Sequence, residues 1–255
     1  MQQKTQFGGD SVWQLPSPSI CVPIVAADAT EALHQAQVIH AHDPLPDLVE
    51  FRADFLRGFL TDHIPPFLKD ICAELGGIPL LFTNRRAAEG GEWVGSEADR
   101  LALIHAAIAS GSVALVDVEL ATAASARDAL LAQAQAAGVG VIISAHDFHE
   151  TPDDAALERL LVDLIAARGD AAKLAVTAQT PDDALRLLRV TAQMAATAPM
   201  PLITMAMGAA GSITRLAGPF FGSMLTFATV GPSSAPGQLP LALVRDFWRA
   251  VGIFP

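Results

Sequence analysis

Short apolar runs alternate along the chain with longer stretches rich in alanine and leucine, a pattern typical of repeated βα units. The apolar runs predict eight strands, at residues 20–25, 48–51, 78–83, 113–120, 139–144, 172–176, 201–205 and 225–230. Each gap leaves room for one helix. Segments that begin at Asp28, Ser96, Thr151 and Thr180 place a capping residue, a proline or an acid ahead of a helical run.

Eight parallel strands with eight crossovers predict an α/β fold that is a single closed (β/α)8 TIM barrel. An open doubly wound sheet is the alternative, but no G-x-G-x-x-G follows the first strand, which disfavours it. No linker or shift of composition divides the chain, so we expect residues 20–255 to be one catalytic domain. Residues 1–19 form a polar leader that is either disordered or folded over one end of the barrel.

Apolar residues make up 51% of the 255-residue chain and charged residues 17%, which indicates a large core. The formal charge is −11 without any Lys- or Arg-rich run, so nucleic acid and anionic membranes are poor candidates for partners. A small anionic substrate remains compatible. Cys21 and Cys72 form no C-x-x-C motif, and no apolar segment resembles an export signal or a membrane span, so we expect a cytoplasmic protein.

Catalytic groups of barrels come from the carboxyl ends of the strands. In the second predicted strand, the two-residue period directs Glu50, Arg52 and Asp54 to one face, where they must pair with each other or with a ligand. A purely structural network is an alternative, above all for Asp54. Asp117 and Glu119 share a face of the fourth strand, either in contact with substrate or one layer behind it.

His146 ends the fifth predicted strand, and a histidine that titrates near pH ~6.5 serves as both general acid and general base. We interpret His149 as a solvated loop residue. Lys173 lies in the sixth strand among small apolar residues. Apolar burial disfavours an ammonium and leaves a neutral amine able to attack a ketone. The alternative is a structural lysine paired with Glu50 or Asp117.

Three loops complete the predicted site. After the third strand, Arg85 is suited to orienting a substrate and Glu89 to orienting the histidine. The last two loops supply Arg215, Ser234 and Gln238, a set that suits a carboxylate flanked by hydroxyls. Phosphate is the alternative ligand for this part of a barrel.

Taken together, these motifs resemble type I 3-dehydroquinate dehydratase, the Schiff-base lyase of the shikimate pathway. The resemblance runs from Ile20 to the C-terminal helix. It rests on Glu50-x-Arg52-x-Asp54, Arg85-x-x-x-Glu89-Gly90-Gly91, Ser144-x-His146-Asp147-Phe148, Lys173-x-Ala175-Val176, the segment from Met207 to Arg215, and Ser234-Ala235-Pro236-Gly237-Gln238.

The resemblance implies a (β/α)8 barrel without metal or organic cofactor, acting in aromatic amino-acid biosynthesis. Lys173 would form an imine with the ketone of 3-dehydroquinate. His146, oriented by Glu89, would remove a proton from the adjacent carbon and then protonate the departing hydroxyl, giving 3-dehydroshikimate. Many members of this family are homodimers, so the resemblance also implies a dimer.

The remaining assignments implied by the resemblance concern substrate binding. Arg215 would bind the carboxylate while Ser234, Ala235 and Gln238 close over it. Hydroxyls and the surrounding charges would be held by Glu50, Arg52 and Arg85, and Met207 and Phe227 would line the pocket. The chain departs from the family pattern at Asn84, Arg86 and Ala145, which bears on the shape of the pocket.

Two other functions are compatible with the pattern. One is another Schiff-base barrel of the aldolase type, which would need a grip for phosphate. The other is a non-catalytic barrel that binds a small molecule, although the joint presence of Lys173, His146 and Glu89 argues against lost activity.

Overall fold

The fold is organised around a curled parallel sheet of nine strands, seen in a computed structural model that describes residues 3–7, 13–58 and 61–253. Its strands are β3 (Ser19–Ile24), β4 (Leu48–Arg52), β5 (Leu80–Thr83), β6 (Leu115–Glu119), β7 (Gly140–His146), β8 (Ala171–Thr177), β9 (Leu202–Met207), β10 (Leu225–Thr229) and β11 (Leu239–Pro240). They lie in the order β11-β10-β3-β4-β5-β6-β7-β8-β9. All eight predicted strands are therefore confirmed, with small shifts at their ends.

Helices fill the crossovers: α1 (Ala29–His40), α2 (Ile64–Glu74), α3 (Glu97–Ala109), α4 (Ala124–Ala137), α5 (Asp154–Ala166), α6 (Pro181–Ala195), α7 (Ser212–Ala217) and α8 (Leu241–Ala250). The predicted alternation of strands and helices is thus confirmed. Side chains of Asp28, Ser96, Asp153 and Thr180 accept a backbone N–H in the first turn of α1, α3, α5 and α6. The capping residues therefore begin these helices where the sequence predicts.

Strands β3–β10 are almost entirely buried because both faces of the sheet are covered. Val49 and Phe51 point to the convex face and pack against the helices, whereas Leu48, Leu81 and Ile203 belong to a second apolar cluster on the concave face. The curl brings β10 into contact with β9 as well as β3. There the backbone N–H of Met224 donates to Leu202 O at 2.8 Å.

Ahead of the sheet, β1 (Gln3–Phe7) and β2 (Trp13–Ser17) form an antiparallel hairpin that the sequence did not predict. Leu15 is buried in the concave-face cluster together with Cys21 and Leu225. Residues 1, 2 and 8–12 of the predicted leader lie outside the described residues. Within the described part of the chain, no helix has the length and apolar character needed to cross a membrane.

Candidate active site

One cavity opens among the ends of the central strands and the loops that follow them, and it holds about 440 Å³ of space when the solvent at its opening is included. All twelve residues to which the sequence analysis gave catalytic or substrate-binding roles line it: Glu50, Arg52, Arg85, Glu89, His146, Lys173, Met207, Arg215, Phe227, Ser234, Ala235 and Gln238. Gly90, Phe148, Ala175 and Met205 also line it and were not predicted to do so. Met205 could have been found, because it lies two residues before Met207 on β9 and so shares its face.

Lys173 reaches the cavity from β8 with its side chain almost completely buried. Its Nζ lies 2.9 Å from Asp117 Oδ2, 4.0 Å from Glu50 Oε1 and 4.5 Å from the centre of the Phe227 ring. The expectation that apolar burial alone surrounds this amine does not hold, because carboxylates from β6 and β4 meet it inside the curl. The ion pair that was the structural alternative is present, and the cavity lies beside it.

His146 and Glu89 form a hydrogen-bonded pair that also lines the cavity. Nδ1 of His146 lies 2.9 Å from Glu89 Oε2, and the His146 backbone N–H donates to the same oxygen at 3.1 Å. Burial, with help from Arg85 and Lys173, lowers the pKa of His146 well below its usual value. Burial raises the pKa of Glu89 to about 7. The ring is thus neutral near pH 7, with a hydrogen on Nδ1 directed at Glu89 and Nε2 free to accept a proton.

Arg85 lines the cavity, and two carboxylates that lie behind the cavity wall hold its guanidinium. Its guanidinium contacts Asp117 Oδ2 and Glu119 Oε1, each at 2.9 Å, and donates to Ser144 Oγ at 2.9 Å. Burial by itself would raise the pKa of Asp117, but Arg85 and Lys173 outweigh it and hold that pKa well below the usual range. Asp117 and Glu119 lie one layer behind the cavity, which answers the question the sequence left open.

The motif at the end of β4 divides into two functions. Glu50 faces the cavity and accepts a hydrogen bond of 2.8 Å from Thr83 Oγ1. Asp54 lies beyond the strand in a 3₁₀ turn and pairs with Arg52 at 2.7 Å. It also accepts the backbone N–H groups of Arg85 and Glu92. Asp54 therefore anchors the loop that carries Arg85 and Glu89, as the structural alternative proposed.

Arg215, in α7, is a buried cation with unusual surroundings. Its donors contact Phe227 O at 3.4 Å, Met205 Sδ at 3.4 Å and Pro236 O at 3.3 Å. Among the described residues no carboxylate pairs with it, and its Nε has no hydrogen-bond partner. Burial lowers the pKa of Arg215 to about 10. A desolvated guanidinium without a counter-ion at the edge of a cavity is a binding position for an anion.

The loop after β10 closes this side of the cavity. Gln238 Nε2 donates to Ser234 Oγ at 3.1 Å, and the Ser234 backbone N–H donates to Gln238 Oε1 at 3.1 Å. Gly237 adopts a φ of +78°, and a Cβ there would lie 2.5 Å from Gly208 O. Only glycine therefore allows the loop to rest against the segment that follows β9.

None of the three residues that depart from the family pattern lines the cavity. Asn84 is buried, and its amide faces the Arg100 carbonyl oxygen at 3.5 Å. Arg86 does not line the cavity, so Arg85 is the guanidinium that does. Ala145 packs against the convex-face core, and His149 is exposed, as predicted.

The fold and the site together define an α/β enzyme with a lysine and a histidine facing one cavity at the carboxyl ends of a curled parallel sheet. A model of the type I 3-dehydroquinase family matches residues 20–255. A 3-dehydroquinate dehydratase from Aromatoleum aromaticum is 36% identical over 247 residues, covering 96% of this chain and 94% of the relative. One from Klebsiella pneumoniae is 40% identical over 229 residues, covering 89% of this chain and 90% of the relative.

Similarity extends to solved structures. The 3-dehydroquinate dehydratase from Geobacillus kaustophilus superposes with a TM-score of 0.91 at 34% identity, and the match covers 100% of this chain and 99% of that one. The chain belongs to the type I 3-dehydroquinase family.

Proposed function

We propose that this chain dehydrates 3-dehydroquinate to 3-dehydroshikimate through an imine on Lys173. The observation that carries the proposal is that one cavity is lined by an amine, a neutral imidazole and a guanidinium that no described carboxylate contacts: Lys173, His146 and Arg215. The substrate offers a group for each of them, namely a ketone, an acidic C–H bond beside it and a carboxylate.

Substrate binding follows from the charges of the wall. The carboxylate pairs with Arg215, because the other cations of the cavity, Arg52, Arg85 and Lys173, each already contact a carboxylate. Ser234, Ala235 and Gln238 cover that end of the substrate. The hydroxyls meet Glu50, Arg52 and Arg85, and the apolar side chains of Met207 and Phe227 pack against the ring carbons.

Imine formation begins when the ammonium of Lys173 gives a proton to His146 and the neutral Nζ attacks the ketone carbon. His146 then returns that proton to the hydroxyl of the carbinolamine, which leaves as water, and the product is a protonated imine. Asp117, 2.9 Å from Nζ, provides the counter-charge for this cation and keeps the nitrogen at the mouth of the cavity. The iminium then withdraws electrons from the neighbouring carbon and makes its C–H bond acidic.

Elimination uses His146 twice. Its Nε2 takes the proton from the carbon beside the iminium, and an enamine forms. The imidazolium returns that proton to the hydroxyl on the next carbon, which leaves as water while the iminium is restored. Glu89 holds Nδ1–H throughout. Hydrolysis of the imine consumes one water, releases 3-dehydroshikimate and regenerates Lys173.

Borohydride trapping tests the proposal. With 3-dehydroquinate and borohydride, the protein should gain the mass of one reduced ligand on Lys173, and Lys173→Ala should gain none. Absorbance of the conjugated enone should report turnover in the same preparation. Turnover without an adduct would remove the imine mechanism. An adduct without the enone would favour the aldolase-like alternative, and neither signal would favour the non-catalytic binder.

For the architecture, we propose that the sheet closes between β9 and β10 into a (β/α)8 barrel formed by residues 20–255 as one domain. The hydrogen bond from Met224 to Leu202 and the bridge between Leu202 and Ser223 support closure. The hairpin of β1 and β2 would cover the amino-terminal end, where Leu15 is buried. By resemblance we propose a homodimer, which sedimentation equilibrium would measure.

A further inference from the structure

Arg100 is a buried charge at a position where the sequence pattern calls for an apolar residue. It lies on α3 in line with Leu103, Ile104, Ala107 and Ile108, all buried against the core. The spacing i, i+3, i+4, i+7 and i+8 makes these five residues one stripe of the helix. Arg100 is 0% exposed, so its guanidinium points inward, beneath the site.

The contacts of Arg100 lead to Glu119. Its Nη1 lies 2.6 Å from Glu119 Oε2 and donates to Asn84 O at 3.0 Å, while Nη2 donates to Thr122 Oγ1 at 3.0 Å. Arg85 contacts the other oxygen, Oε1, at 2.9 Å. The two carboxylate oxygens of Glu119 therefore contact different arginines, Oε1 with Arg85 and Oε2 with Arg100.

Further ion pairs connect Arg85 to the amine of Lys173. Arg85 uses a second nitrogen, Nη2, to contact Asp117 Oδ2 at 2.9 Å, and Lys173 Nζ contacts the same oxygen at 2.9 Å. Asp117 thus has two cations to satisfy while Arg85 stays in place. Every link of the series from Arg100 to Lys173 is an ion pair of 2.9 Å or less.

We propose that Arg100 is a positioning residue for imine formation, acting through Glu119, Arg85 and Asp117 on the charge of Lys173. The inference rests on the proposed function and deepens it. With Arg100 removed, Glu119 Oε2 would lose its partner and would draw both nitrogens of Arg85 toward itself. Asp117 would then be left to Lys173 alone, and the ammonium would hold its proton more tightly.

Other ionisable groups face Lys173 from neighbouring elements and must be kept constant in the test. They are Cys21 on β3, Glu50 on β4, Arg85 after β5, Asp117 on β6 and His146 on β7, with Arg215 across the cavity. None of them contacts Arg100 directly, so a substitution there reaches Lys173 only through the series of ion pairs.

The experiment is a timed quench. Protein and saturating 3-dehydroquinate are mixed, quenched in borohydride at increasing times and weighed by mass spectrometry, from pH 5 to pH 9. Arg100→Met should slow adduct formation at pH 7 by about tenfold, the lower end of what loss of an orienting partner costs at metal sites. The pH at which the rate is half-maximal should rise by about one unit.

Three further variants separate positioning from folding. Arg100→Gln keeps a donor for the Asn84 carbonyl but removes the charge. It should show the same upward shift in the pH of half-maximal adduct formation, and it serves as the test if Arg100→Met does not fold. Arg100→Lys keeps the charge and should return the profile close to wild type. Glu97→Gln removes the other ion pair of Arg100, on a side chain that is 45% exposed, and should leave the profile unchanged.

The outcomes distinguish this inference from the proposed function. An upward shift in the neutral variants, with Arg100→Lys close to wild type, supports it. A wild-type profile in folded Arg100→Gln or Arg100→Met overturns it, as does an equal shift in Glu97→Gln. A wild-type protein that forms no adduct at any pH contradicts the proposed function instead.

Discussion

Replacing Arg215 by methionine should make the protein more stable and much less active. In the free protein this guanidinium is buried without a carboxylate among the residues described, and burial lets its pKa fall to about 10, well below the usual value for arginine. That fall corresponds to about 3 kcal/mol of unfavourable free energy from burying the charge. The hydrogen bonds to Phe227 O and Pro236 O return roughly 1 kcal/mol each. We therefore expect Arg215→Met to raise the free energy of unfolding by about 1 kcal/mol.

The direction of the pKa change shows that the charge of Arg215 destabilises the folded state. Because the folded state lowers the pKa of a base, folding is disfavoured at every pH at which the base is protonated in both states. The penalty is complete below about pH 10 and disappears as the pH rises from there toward the usual pKa of an arginine in the unfolded chain. Measurements at pH 7 therefore include all of it.

Activity should change in the opposite direction. Removal of one partner from a buried ion pair costs roughly 3–5 kcal/mol, so kcat/KM should fall by about 10²- to 4 × 10³-fold. Urea unfolding would be followed by tryptophan fluorescence, to which the buried Trp248 beside α7 contributes. The absorbance of the enone would give kcat/KM.

Arg245→Met is the matched control, because Arg245 is also buried but pairs with Asp47 at 3.1 Å. It should lower the free energy of unfolding by about 2 kcal/mol or more, as loss of a paired charge does. If Arg215→Met were destabilised as much as Arg245→Met and kept its kcat/KM, the description of Arg215 as a cation that awaits a carboxylate would be refuted.

Two further substitutions concern the histidine. His146→Ala should still give the borohydride adduct but should eliminate water at least ~10²-fold more slowly, since a general acid–base contributes about 10²–10⁴-fold; unchanged enone formation would contradict its role. Glu89→Gln should lower kcat by ~10-fold or more because Nδ1–H loses its anionic partner. The wild type should lose free energy of unfolding as the pH rises from 4 to 8, because a buried carboxyl with a pKa near 7 stabilises the fold only while it is protonated. Glu89→Gln has no such group, so the difference in free energy of unfolding between the variant and wild type should grow in favour of the variant by up to about 3 kcal/mol over this range. Urea unfolding at both pH values measures this, and a constant difference would show that Glu89 is not perturbed.

Much of the fold is visible in the sequence because two signals are local. Apolar runs of strand length separated by capped helical stretches predict β3–β10, and the caps at Asp28, Ser96, Asp153 and Thr180 begin helices as expected. The hairpin and β11 were missed. β11 has only two residues, Leu239 and Pro240, and its pairing with β10 depends on a contact that no local pattern encodes.

For the site, too, the sequence shows the local features and does not show the contacts between strands. The two-residue period shows which side chains of a strand point inward, and so it finds Glu50, Lys173 and their neighbours. It does not show the register of one strand against the next, which decides that Asp117 meets Lys173. For that reason the sequence predicts an amine among apolar residues where the structure has an ion pair. The sequence analysis did not identify Arg100, because it lies on a helix and outside the cavity. An arginine within an apolar helical stripe is nevertheless a signal that could have been used.

Under the proposed function, the distribution of carboxylates over the cations of the cavity would orient the substrate. Arg52, Arg85 and Lys173 each have a carboxylate within 2.9 Å, so each of them attracts a further anion only weakly. Arg215 has none among the described residues. Under the proposed function, a substrate with one carboxylate and one ketone would therefore be drawn in by its carboxylate at Arg215, which would leave the ketone for Lys173 on the opposite part of the cavity wall. One arginine that no described carboxylate contacts would then be sufficient to set the direction of binding, and with it the carbon that His146 can reach.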